Sequence, residues 1–164
     1  MGRDGDEHIE AVERAMVALR RSQSRRTLAR LAAARQPAGS GGDRRTTAPG
    51  ASADVLDAIE EAEDAGKPAT VTSVAAALGI DQPRASKLVA TAVAAGLVRR
   101  KADQADGRRA LLVRTPAGRR LSAEVHAFRR QVADQAMAGW PTGDRAEFAR
   151  LLTRFVESLG AVTR

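Results

Sequence analysis

The sequence contains no cysteine and no tyrosine, and it has only one tryptophan, three phenylalanines and two histidines. Without thiols there is no disulfide framework, no thiolate zinc site and no thiol redox switch. Two histidines alone are a poor basis for a metal centre, so neither a metal nor a cofactor is expected. Long apolar runs are missing as well: nothing approaches the roughly 20 residues of a membrane span. Met1 to Arg21 is charged throughout, unlike a signal peptide, and the expected location is the cytoplasm. With so few aromatic side chains, any core must be built from Ala, Leu, Val and Ile, mostly on helices.

What the chain has instead is charge, unevenly placed. Its 164 residues carry 27 Lys and Arg against 20 Asp and Glu, a formal net charge of +7. Residues 1–52 hold 10 basic and 6 acidic side chains, 53–66 hold 0 and 6, 67–120 hold 11 and 3, and 121–164 hold 6 and 5. The excess therefore sits on one stretch, the electrostatic footprint of a phosphate-backbone partner. A length of this order suffices for one domain with a core, or a small domain with helical arms.

Along the chain, Ile9, Val12, Met16 and Leu19 recur at helical spacing and Leu28, Leu31 and Ala32 continue the stripe, which predicts an amphipathic helix from Glu7 to Ala34. Gln36 to Ser52 is rich in Pro, Gly, Ser and Thr and reads as a mobile connection. Its Gly39-Ser40-Gly41-Gly42 lacks the strand and the Gly-Lys-Ser/Thr of a phosphate loop. From Ser52 or Asp54 a helix to Ala65 places Val55, Leu56, Ile59 and Ala62 inward. Asp57, Glu60, Glu61, Glu63 and Asp64 then form a solvated outer face, with no nucleophile or metal ligand to turn paired carboxylates into a catalyst. After Gly66-Lys67-Pro68, Ala69-Thr70-Val71 has the composition of a short strand.

Thr72 to Arg114 is the informative stretch. Ser73 to Ile80 predicts a small helix ending at Gly79, and Asp81 caps a second helix running to Ala95, a helix-turn-helix pattern. Gly96 stops that helix. Leu97 to Lys101 and Ala110 to Arg114 then read as strands flanking a basic loop, which completes a winged helix. Thr115-Pro116 opens a long helix to Trp140 with Leu121, Val125, Phe128, Val132 and Ala136 on one face. A last helix carries Phe148, Leu151, Leu152, Phe155, Val156 and Leu159 and ends near Gly160. Both are too apolar on one side to stand alone, and with the first helix they predict a dimer interface. Trp140 reads as packing rather than as a ligand clamp.

A helix-turn-helix presents the start of its second helix to base edges in the major groove, where Gln82, Pro83, Arg84, Ser86 and Lys87 stand here. Glutamine suits adenine, and arginine or lysine suits guanine. Pro83 costs little so early in a helix, and its ring can touch a thymine methyl. Thr91 and Arg99 are candidate phosphate contacts. In the wing, Arg108 and Arg109 suit a narrow minor groove, and Asp106 is assigned to orienting one of them.

The ordered set Val74-Ala75-Ala76-Ala77-Leu78-Gly79-Ile80, Arg84-Ala85-Ser86-Lys87-Leu88-Val89, Ala95-Gly96-Leu97-Val98-Arg99-Arg100, Asp106-Gly107-Arg108-Arg109 and Thr115-Pro116-Ala117-Gly118 resembles the MarR family of winged-helix transcriptional regulators. The resemblance is close over residues 52–120 and extends to the flanking helices only by pattern. It implies a homodimer held by the N- and C-terminal helices, on double-stranded DNA with a palindromic operator. It also implies Arg108 as the minor-groove residue of the wing tip, Asp106 as its anchor, and often repression relieved by a small aromatic or phenolic ligand. Where the family has a short connection between its first two helices, this chain has the Gly-rich stretch from Gln36 to Ser52, and no effector residues are assigned. The two histidines, His8 and His126, suit pH sensing or an anion but also an ordinary neutral role.

The expected organisation is an N-terminal dimerisation helix (1–35), a flexible linker (36–52), a winged helix-turn-helix DNA-binding domain (53–115) and C-terminal dimerisation helices (116–164). The fold class is mainly α with a small antiparallel β-wing. The competing function is a winged-helix module that docks protein and does not read DNA sequence. An enzyme would need a nucleophile, metal or cofactor loop that this sequence does not offer.

Overall fold

The computed structural model describes residues 3–22, 49–102 and 110–162. Among these residues there are six helices and one two-stranded sheet: α1 (Arg3–Ser22), α2 (Pro49–Asp64), α3 (Val71–Leu78), α4 (Gln82–Ala94), β1 (Val98–Ala102), β2 (Ala110–Arg114), α5 (Pro116–Ala136) and α6 (Thr142–Val162). The chain divides into two compact units, Met1–Ser122 and Ala123–Arg164. The mainly helical class and the small antiparallel wing expected from the sequence are both observed. Helix α2 starts at Pro49, within the stretch read as linker; proline is well tolerated in a first helical turn. The predicted extension of the first helix beyond Ser22, and linker residues 36–48, lie outside the described residues.

In the first unit, α2 packs on α3, α4 and β2, and α4 packs on α3 and β1. The largest fully buried side chains are Val55, Leu56 and Ile59 of α2, Val74 of α3, Val89 of α4 and Val98 of β1, each worth about 1.5–3 kcal/mol in burial. The core is aliphatic, as the lack of aromatics required. β1 and β2 run antiparallel with Val98 opposite Arg114, Arg100 opposite Leu112 and Ala102 opposite Ala110. Residues opposite one another share a face, so Val98 and Arg114 point inward together while Arg99 and Lys101 take the other side.

The expected third strand at Ala69 to Val71 does not form. The Ala69 carbonyl accepts one ladder bond from the Leu112 amide (2.8 Å), but Thr70 then caps α3. The Thr70 hydroxyl accepts from the Ser73 amide (3.1 Å) and the Ser73 hydroxyl accepts from the Thr70 amide (2.8 Å). This reciprocal capping box turns Val71 into a helical residue despite its β-branched side chain.

The acidic face assigned to α2 also needs correction. Arg114, 7% exposed, lies among Glu60 (2.6 Å to Oε1), Glu63 (2.7 Å to Oε2) and the Ser122 hydroxyl, which accepts from it at 3.2 Å. Two carboxylates read as solvated therefore bind a buried cation, because β2 crosses α2 where Glu60 and Glu63 lie one turn apart. Burial is the largest single influence on Arg114 and disfavours its charge. The hydrogen bonds and charges of both glutamates together outweigh it, so its pKa lies above the ordinary arginine value.

The start of α5 is fixed just as firmly. The Thr115 hydroxyl accepts from the Gly118 amide (3.1 Å) and lies 2.7 Å from the Gly96 carbonyl, while the Thr115 amide donates to Leu97 (3.0 Å). Gly118 is buried, and a Cβ built there overlaps the carbonyl oxygen of Leu97 and crowds Leu56.

In the second unit, Trp140 meets Phe148 edge to face (centroids 5.5 Å apart), consistent with packing, and Arg145 pairs with Asp134 at 3.0 Å. No residue of α6 is buried. Phe148, Leu151, Leu152, Phe155, Val156 and Leu159 are 38–58% exposed, and on α1 Ile9, Val12, Met16, Val17 and Leu19 are exposed likewise.

Two stability measurements test this arrangement. Gly118→Ala is expected to cost about 2–3 kcal/mol in denaturant unfolding, because the backbone contact cannot yield to a methyl. Arg114→Met is expected to cost about 3 kcal/mol, the lower end for a broken buried pair because Glu60 and Glu63 retain 25% and 31% exposure. A midpoint unchanged in either variant contradicts the corresponding contact.

Candidate nucleic-acid interface

The turn between α3 and α4 is determined locally. Gly79, in the left-handed region at φ 61°, ends α3, its amide donating to Ala76 and the next amide, of Ile80, to Ala75. An L side chain at Gly79 would be strained there. Asp81 follows with an extended backbone and caps α4, its Oδ1 accepting from the Arg84 amide at 2.7 Å. Pro83 sits in the first turn, where the N–H it lacks has no helical acceptor to lose. Gly96 ends α4 by the same pattern, its amide donating to Val93 and that of Leu97 to Ala92. The helix is thus held at both ends before any tertiary contact is counted.

One side of α4 is committed to the core through Ala85, Val89 and Ala92, all fully buried. Gln82, Pro83, Arg84, Ser86 and Lys87 are all exposed, so the structure brings the five residues expected to face bases onto the outer surface of the first turns. Ala85 interrupts them in sequence but not in space. Thr91 is half-buried, and its hydroxyl donates to the Lys87 carbonyl (3.1 Å), so a phosphate contact from it requires that bond to be given up. Arg99 is exposed on β1 beside Arg100 and Lys101. Asp106, Arg108 and Arg109 lie outside the described residues.

Charge at this surface is unbalanced. Among the described residues, Arg84, Lys87, Arg99, Arg100 and Lys101 are exposed and make no ion pair, whereas Arg114, the buried cation of the same ribbon, is bound by two carboxylates. Asp81 is the acidic group nearest in sequence to Arg84 and Lys87, and its Oδ1 holds a backbone amide. A surface with unpaired cations, an exposed glutamine amide, a serine hydroxyl and a fixed helix can bind phosphates and distinguish base edges.

Two features escaped the sequence. Thr72 of α3 accepts a hydrogen bond from the Gln82 amide (3.3 Å), a contact across ten residues with no local signature. The set Arg114, Glu60, Glu63 and Ser122 had a faint one: Leu112 and Arg114 share a strand face, and two glutamates stand three apart on a helix otherwise apolar inside.

A MarR family model matches residues 48–109, which cover α2 through the wing. No curated protein sequence matches significantly. Among solved structures, a MarR family protein from Bacillus stearothermophilus is 17% identical, with a TM-score of 0.70 and coverage of 98% of this chain and 99% of that one. BldR, a transcriptional regulator from Sulfolobus solfataricus, is 19% identical over 93% of this chain and 99% of its own, with a TM-score of 0.62. BpsR of Bordetella bronchiseptica, whose DNA binding is regulated by 6-hydroxynicotinic acid, is 26% identical over 87% of this chain and 98% of its own, at a TM-score of 0.52. Below a quarter identity such likeness concerns the fold, while the family match rests on the sequence of the winged helix itself. Over residues 48–109 the sequence matches the MarR family of winged-helix transcriptional regulators, and over most of its length the chain shares the fold of a solved MarR family protein.

Proposed function

We propose that this regulator binds a palindromic double-stranded DNA operator as a homodimer and represses the genes it controls. The observation that carries the reading is the outer surface of α4, where Gln82, Arg84, Ser86 and Lys87 stand exposed on a helix capped at both ends, with no carboxylate paired to its cations among the described residues. In this reading α4 enters the major groove, with Gln82 set against adenine and Arg84 or Lys87 against guanine. Arg99 and, where its helix bond yields, Thr91 contact phosphate. Arg108 and Arg109 carry the wing into the minor groove, with Asp106 orienting one of them.

The dimer is supported by apolar area. Six large side chains of α6 recur at spacings of three and four and are all more than a third exposed in the single chain, and α1 carries a second such stripe. Water contact over two stripes of this kind is costly enough to favour a second subunit. Pairing two readers places recognition helices about 34–36 Å apart, one turn of DNA. A small aromatic acid as releasing ligand is proposed from BpsR, whose DNA binding answers to 6-hydroxynicotinic acid.

Two experiments test this function. Duplexes selected from a random pool are expected to share a palindrome, and affinity for one of them should fall steeply with salt. About six phosphate contacts imply a loss near a thousandfold between roughly 50 and 200 mM. Arg84→Ala is expected to cost about 1–3 kcal/mol and relax preference at one position per half-site, while Arg108→Ala weakens binding chiefly to sites with a narrow flanking minor groove. A flat salt response, with protein co-purifying in place of DNA, would replace this function with a docking module. Separately, Leu152→Glu with Phe155→Glu should convert a dimer to a monomer by sedimentation at micromolar concentration and abolish the palindrome requirement; a monomeric wild type contradicts the homodimer.

A further inference from the structure

The N-cap and first turn of α3 carry three hydroxyls in different circumstances. That of Ser73 is used in both directions, donating to the Thr70 carbonyl (3.0 Å) and accepting from the Thr70 amide. That of Thr70 accepts from the Ser73 amide on a half-buried side chain. Thr72 takes no part in the cap. It is exposed, and its Oγ1 accepts from Nε2 of Gln82, itself exposed at the start of α4. Both side chains line one open groove of about 600 Å³, together with Pro68, Thr70, Val71 and Ser73.

The chemistry of the pair is directional. A glutamine amide has two N–H donors and one carbonyl acceptor. With one N–H on Thr72, the other N–H and the carbonyl are left, which is the pair that matches N7 and the N6 amino group of adenine. Thr72, accepting through a lone pair, still has its own proton to give. It stands at a helix N-terminus, where anions are favoured, on the helix that crosses the DNA backbone when its neighbour enters the groove. An exposed glutamine otherwise samples many rotamers, and a fixed amide loses less freedom on binding.

We propose that Thr72 is a positioning residue for Gln82: it holds the amide in the orientation that reads adenine and, through its own hydroxyl proton, ties that base contact to a phosphate contact. The inference rests on the DNA-binding function proposed above and assigns a specificity role to a side chain outside the recognition helix.

The test uses the full-length chain, a duplex it selects from a random pool, and copies of that duplex with each base pair replaced singly, compared by fluorescence anisotropy. Gln82→Ala should flatten the preference at one base pair of the half-site. Thr72→Val, similar in shape but without a hydroxyl, should weaken preference at that same base pair by roughly three- to tenfold, the net worth of one hydrogen bond, and leave the others intact. Thr72→Ser should restore it. In a Gln82→Ala background, Thr72→Val should no longer alter that preference, since coupled residues are not additive. In the free protein the Gln82 side-chain amide resonances should move in Thr72→Val and hold in Thr72→Ser. An unchanged preference in Thr72→Val, an equal loss at every base pair, or full additivity with Gln82→Ala overturns the positioning role alone. A wild-type chain that discriminates no duplex overturns the DNA-binding function and this role with it.

Discussion

The guanidinium of Arg114 is the point on which the winged-helix unit depends. It is a permanent charge at the end of β2, almost wholly removed from water, and such a charge is tolerable only with partners in good geometry. Glu60 and Glu63 supply them from α2, and Ser122 supplies a third from α5. One side chain therefore fastens the central helix, the second wing strand and the start of the following helix. An apolar residue of like volume could fill the space. It could not specify which turn of α2 faces the strand, and register is what a charged trio contributes.

From that anchor the geometry of the reader follows by short steps. Arg114 pairs with Val98 across the ribbon, so the inward face of β1 is set and Arg99 and Lys101 are turned to the other side. One residue later, Thr115 is bonded to Leu97 and caps α5, while buried Gly118 allows the two backbones to touch. Leu97 in turn closes the end of α4 through Ala92. The wing root, the recognition helix and the helix leaving the unit are thereby joined within a few residues, leaving little freedom for α4 to shift relative to the ribbon.

Much of this was legible in the sequence because it is local. Asp81 before Gln82-Pro83, Gly79 and Gly96 after their helices, and Thr115-Pro116 with Gly118 are caps and stops whose physics involves neighbours within four residues. The aliphatic core followed from helical spacing. The failures involved distance or competition. Val71 has strand propensity, but the capping box between Thr70 and Ser73 satisfies two amides that an isolated third strand would leave to water. Glu60 and Glu63 look solvated on a helical wheel because Arg114 lies 51 and more residues away in sequence, and only the fold brings it back. Gln82 was placed among the candidate base contacts from its position on the helix, whereas Thr72, to which its amide donates, belongs to another element. The surface exposure of Arg84 and Lys87 was predictable; their lack of carboxylate partners among the described residues was not.

That last contrast carries the functional argument further than composition does. A positive net charge says only that a chain repels its copies and attracts polyanions. Within this unit, the buried charge of Arg114 is held by two carboxylates, the helix-end amides are met by Thr70, Asp81 and Thr115, and the amides of Gly79 and Gly96 donate to carbonyls at the ends of their helices. Exposed cations without a carboxylate partner among the described residues include Arg84 and Lys87 on the outer side of α4 and Arg99 and Lys101 on β1, besides Lys67, Arg119 and Arg120. Folding alone gives no reason for such a distribution, since pairing Arg84 or Lys87 with an acidic neighbour would change stability by about 0–1 kcal/mol. A surface that must bind phosphates and base edges gains from leaving those donors unspent, because any internal partner would have to be displaced first. The internal bond kept there, from Gln82 to Thr72, orients a donor without exhausting it.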